Sequence, residues 1–107
     1  MKINIMKESI PYITDVTIAG TSFQFEFTYN SYDKRVYVTL YDIEDNLIYA
    51  NEPILFGIPL WFNKLVDEKG NFNKKYPQKY IIPNTLDRKA VKIDYENIDK
   101  IELLVEE

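Results

Sequence analysis

The run Ser22-Phe23-Gln24-Phe25-Glu26-Phe27-Thr28-Tyr29 constrains this chain more than any other stretch. Phe23, Phe25, Phe27 and Tyr29 alternate with Ser22, Gln24, Glu26 and Thr28, the two-residue period of a strand with one face buried. A helix would scatter these rings round its surface. After the polar break Asn30-Ser31-Tyr32-Asp33-Lys34, a second run alternates Val36, Val38 and Leu40 with Tyr37, Thr39 and Tyr41, nearly all β-branched or aromatic. Two such runs predict a long antiparallel hairpin whose inward faces pair aromatic with aliphatic side chains.

The flanking segments extend the same pattern. Residues 13–19 carry Val16 and Ile18 in alternation with Asp15 and Thr17, and Gly20-Thr21 turns into the hairpin, so three strands form a meander. The turn Ile43-Glu44-Asp45-Asn46 leads into a strand at 47–50, closed by Asn51-Glu52-Pro53. Residues 54–62 are the most apolar, but Gly57 and Pro59 oppose both a regular helix and a central strand. A crossing segment that plugs one end of a sheet is expected there. Residues 80–83 return as a short strand, 84–87 turn, 90–95 alternate again, and 100–107 form a closing strand. The only helical candidate is a turn at 96–99. The expected fold is one all-β domain over 1–107, a small antiparallel barrel or two-sheet sandwich of about seven or eight strands.

A chain of 107 residues buries roughly 60 to 70% of its extended surface and needs no staples. With neither cysteine nor histidine, disulfides, Cys/His zinc sites and Ser-His or Cys-His nucleophile pairs are excluded. A net charge of -4 and a pI near 4.9 argue against nucleic acid, and no apolar run reaches the roughly 20 residues of a membrane span. Residues 1–8 alternate too often to form the apolar core of a secretion signal, so a cytoplasmic start without a signal peptide is expected.

The residues so placed resemble the phage baseplate plug family. The resemblance rests on Ile10-Pro11-Tyr12, Gly20 followed by alternating aromatics, Tyr29-Asn30, Leu40-Tyr41-Asp42, Asn46-Leu47-Ile48 and Gly57-Ile58-Pro59-Leu60, with Ile93-Asp94-Tyr95-Glu96-Asn97-Ile98 before an apolar last strand. It covers residues 10–60 best and departs at 63–79, which are longer and more basic here. The family comprises small all-β proteins of contractile-tailed phages and related injection particles. The resemblance implies a structural part near the tail axis at the baseplate, assembled in the bacterial cytoplasm, with no catalysis and no cofactor. Its partners would be other baseplate or tail proteins, with several copies around the axis. No binding residues transfer.

Candidate sites each carry a plainer reading. Asp42, Glu44, Asp45 and Asn46 suggest calcium, but the glycine and late Glu of a calcium loop are missing, and a hairpin turn is favoured. The carboxylate pairs Asp67/Glu68 and Glu106/Glu107 lack the burial that would separate their proton affinities for acid–base work. Tyr29, Tyr32, Tyr37, Tyr41 and Tyr49 could stack on sugars, which keeps a small carbohydrate-binding module as the alternative function; cross-strand pairing explains most of them equally well. A small inhibitor or regulator of one soluble partner is a further class.

Charge asymmetry points to assembly. Residues 63–79 carry Lys64, Lys69, Lys74, Lys75 and Lys79 against Asp67 and Glu68, whereas 94–107 hold six carboxylates against Lys100. Complementary patches set register between neighbours, and apolar residues must anchor them. The expected partner-binding set is Phe72, Lys74, Lys75 and Tyr76 in the loop, with Trp61 and Phe62 before it; core packing is the competing reading for Trp61 and Phe62.

Overall fold

The computed structural model describes residues 1–106. Among these, two antiparallel sheets enclose one apolar core, so the sandwich forms and the barrel does not. The larger sheet holds β2 (Tyr12–Ile18), β3 (Thr21–Tyr29), β4 (Val36–Asp42) and β5 (Leu47–Pro53) in chain order. In the smaller, β7 (Ile101–Val105) lies between β1 (Lys2–Asn4) and β6 (Ile81–Thr85).

The predicted hairpin is β3 and β4, in the registers Phe25↔Leu40 and Phe27↔Val38. Its inward residues Phe23, Phe25, Phe27, Val36, Val38 and Leu40 are all buried, and Ile81, Ile101, Leu103 and Val105 close the core from the smaller sheet. Each such side chain contributes about 1.5–3 kcal/mol by leaving water, which makes this layer the main source of stability. Between β2 and β3, Ala19 and Gly20 both have positive φ, 51° and 82°, as a two-residue type I′ turn requires. The β4–β5 ladder slips register, and Asn51 (φ 57°) donates its N–H to Thr39 Oγ1 at 3.0 Å, which explains a buried threonine on the polar face of β4.

The crossing segment at 54–61 corrects one expectation: it runs along a side of the sandwich instead of plugging an end. Ile54 N–H donates to Val36 O at 3.2 Å, Gly57 N–H to Pro83 O at 2.9 Å and Leu60 N–H to Ile81 O at 2.9 Å. It is therefore a backbone seam from β4 to the edge strand β6. Gly57 turns there at φ 71°, a conformation that costs a glycine nothing.

Other boundaries shift. Residues 90–95 form no strand, because the Asp94 amide is taken by Asn97 Oδ1 and the Tyr95 amide by Lys34 O. Asn84 and Thr85 belong to β6 and not to the turn after it. One helical turn, α1 (Phe62–Leu65), was not expected, and 3-10 turns occupy Lys7–Ser9 and Ile98–Lys100. Glu107, with its half of the Glu106/Glu107 pair, lies outside the described residues.

Candidate interaction site

The segment at 63–79 is a folded finger. It is rooted at Trp61, whose backbone is left-handed (φ 57°) and whose N–H donates to a Glu52 carboxylate oxygen at 2.6 Å. Beyond α1, Val66 and Phe72 pair as an antiparallel bridge, and Asn73 N–H donates to Leu65 O at 2.7 Å. The tip is an Asx turn in which the Asp67 carboxylate accepts from the Lys69 and Asn71 amides at 2.9 and 3.0 Å, with Gly70 at φ 84°. The Gln78 side-chain amide then donates to the Asn73 and Tyr76 carbonyls. These bonds give the long segment a definite shape.

The six expected contact residues divide into a root and a surface. Trp61 is 1% exposed and Tyr76 6%, so both pack into the core. Trp61 packs edge-on against Phe25, with 5.4 Å between centroids at 80°. Phe62, one residue on, is 55% exposed, and Phe72 is 37% exposed with its ring 5.8 Å from that of Tyr80. Lys74 and Lys75 are exposed and line a groove whose far wall includes Asp42 and Glu44, so the finger presents cations beside carboxylates of the larger sheet.

Glu52 was missed by sequence reasoning; its only signal is a carboxylate just ahead of the most apolar run. Burial pushes its carboxyl up, and the Trp61 N–H partly opposes that shift. The Trp61 indole Nε1 is buried with no hydrogen-bond partner among the described residues.

The acidic carboxyl-terminal segment is not one patch. Glu102 is 5% exposed on the outer face of β7 and pairs with Lys2 at 3.4 Å. The Glu106 amide donates to Tyr80 O beside the finger, while Tyr95 lies beside Tyr29, the two rings tilted by 36° with 4.5 Å between centroids. Of these carboxylates only Glu102 lies within β7; Asp94, Glu96 and Asp99 precede the strand and Glu106 follows it.

Of the five tyrosines, Tyr29, Tyr32 and Tyr37 line one groove with Asn30, Ser31 and Asn51, and Tyr41 and Tyr49 do not. Tyr37 OH donates to Asp33 Oδ2, which holds the Asp33 carboxyl below its ordinary value and raises the Tyr37 hydroxyl. Tyr41 OH donates to Glu26 at 3.0 Å. Asp42 acts as a turn acceptor, taking the Glu44 and Asn46 amides at 2.9 Å each. Among the described residues no helix is long and apolar enough to cross a membrane.

Fold and finger together define a small all-β scaffold carrying one long hydrogen-bonded segment, and among the described residues no cluster of acidic side chains could hold a metal ion. A family model described as cyanophage baseplate Pam3 plug gp18 matches residues 1–105, and the chain belongs to that family. The match extends the resemblance seen in residues 10–60 across the finger. Membership indicates a phage baseplate plug, a structural protein of the virion tail that interacts with other baseplate or tail proteins. A comparison with curated proteins finds no match to the chain.

Proposed function

We propose that this protein is a non-catalytic plug near the tail axis of the baseplate, held by protein–protein contacts made through the finger. The observation that carries the reading is the family match over residues 1–105, which includes the finger. Phe62 and Phe72 supply exposed apolar anchors, and Lys74 and Lys75 orient the approach, since surface charge alone adds little affinity. Trp61 and Tyr76 act from beneath by fixing the root of the finger. Several copies around the axis would each present the same surface.

The test uses particles carrying Phe62→Ser, or Lys74→Glu with Lys75→Glu, scored for complete baseplates by electron microscopy. All three positions are solvent-facing, so the variants keep the core. Loss of the plug from particles while the purified variants melt normally supports the reading; normal baseplates from both variants reject it.

One observation favours a second reading. Tyr29, Tyr32 and Tyr37 share a groove with Asn30, Ser31 and Asn51, a mixture of rings and amides suited to a sugar. Binding of the purified protein to a glycan array, lost in Tyr32→Ala, would favour this carbohydrate-binding alternative; a blank array would remove it.

A further inference from the structure

The sandwich has two lateral seams, and residues 54–61 sew only one of them. On the other side the outer strands β1 and β2 border an open groove lined by Ile3, Met6, Tyr12, Thr14 and Val16 among others. β2 pairs with β3 alone, so its second edge is free.

The register identifies the unpaired backbone groups. The two-residue turn at 19–20 makes Ile18 and Thr21 a hydrogen-bonded pair, and in an antiparallel ladder such pairs alternate with non-bonded ones. Val16, Thr14 and Tyr12 therefore bond to β3, and the N–H and C=O groups of Ile13, Asp15 and Thr17 point away from it. None of these groups has a hydrogen-bond partner among the described residues. Ile13 is 55% exposed and Met6 56%, so apolar side chains flank the open edge. A free strand edge with apolar neighbours is a template for another strand.

Asp15 decides which strand fits. It stands at the centre of β2, so a second copy paired about a two-fold axis there would set Asp15 against its own copy, and like charges directly opposite are destabilising. A strand carrying a cation at that position gains instead. We propose that β2 accepts an extended segment of another protein as a fifth strand of the larger sheet, with Lys or Arg opposite Asp15 and an apolar residue opposite Ile13. This contact is separate from the finger, and either can fail without the other.

The test titrates the 15N-labelled full chain with two synthetic alternating peptides of about nine residues, within the usual strand length, that differ only in a central Lys or Glu. The expected result is slowed amide exchange at Ile13, Asp15 and Thr17, with the Lys peptide bound about fivefold tighter and the preference inverted by Asp15→Lys. Thr17→Pro removes one outward N–H without touching the ladder to β3 and should abolish the slowing with either peptide. If that variant does not fold, the exposed Asp15→Lys substitution still decides. The proposal is overturned if neither peptide slows these three amides, or if Asp15→Lys leaves the preference unchanged. The same slowing in concentrated protein alone also overturns it, since the occupant would then be a second copy.

Discussion

The backbone N–H of Trp61 meets the carboxylate of Glu52 at 2.6 Å, and this contact ties the root of the finger to β5. Burial raises the Glu52 carboxyl above its ordinary value. A group with a raised folded pKa stabilises the protein below its unfolded pKa, and that stability is lost as pH climbs through the folded value. Glu52→Gln keeps an acceptor for Trp61 and removes the charge. Thermal melts should therefore show the wild type losing stability relative to Glu52→Gln as pH rises from about 4.5 towards neutrality. A difference that stays flat over that window excludes the effect. Glu52→Ala instead orphans a buried amide and should cost about 1–3 kcal/mol.

Trp61 and Phe25 meet edge to face at the centre of the core. Phe25→Ala should cost about 3–5 kcal/mol in urea unfolding, from lost burial and the cavity left behind. Trp61→Phe should cost less than about 2 kcal/mol, because the indole N–H it deletes has no acceptor to lose. An equal cost for both would mean that the indole N–H is hydrogen-bonded in solution.

Tyr37 holds Asp33 in its charged form at the surface. A depressed carboxyl pKa gives stability that is present above the unfolded pKa and lost as pH falls through the folded one. In Tyr37→Phe the Asp33 carboxyl should titrate nearer its ordinary value, followed by NMR of the side-chain carbonyl. An unmoved titration curve would show that the hydroxyl contributes nothing.

Lys2 is 58% exposed, and its partner Glu102 is nearly buried. Lys2→Ala leaves that carboxylate without a countercharge and should destabilise by about 1 kcal/mol, a modest figure because water screens the lysine. Glu102→Leu removes the buried charge along with its need for a partner, so it should cost less or stabilise. Guanidinium unfolding that ranks Glu102→Leu below Lys2→Ala would contradict this.

Local period made the β3–β4 hairpin legible, because Phe23, Phe25 and Phe27 occupy one face whatever surrounds them. The choice of sandwich over barrel was not legible: it depends on Lys2, Ile3 and Asn4 pairing with Leu104, Leu103 and Glu102, a contact with no local signal. Gly57 and Pro59 marked the crossing segment as irregular but did not name Pro83 and Ile81 as acceptors. Trp61 and Phe62 looked alike as adjacent aromatics, yet one left-handed residue sends their side chains to opposite fates. Tyr76 read as a contact because charges surround it in the chain. It is buried because the finger folds back beside Leu47 and Ile48 of β5, and that burial pushes its hydroxyl up.

The pairing of β1 with β7 has a consequence for biosynthesis. The larger sheet is a meander of neighbours and can assemble while translation continues, but the smaller one needs residues 2–4 and 101–105 together. Closing so long a loop is entropically costly and slow. A ribosome-bound chain stalled before Ile101 should therefore hold a protease-resistant meander with its apolar side open to chaperones, and limited proteolysis of stalled chains would reveal whether that half-built state exists.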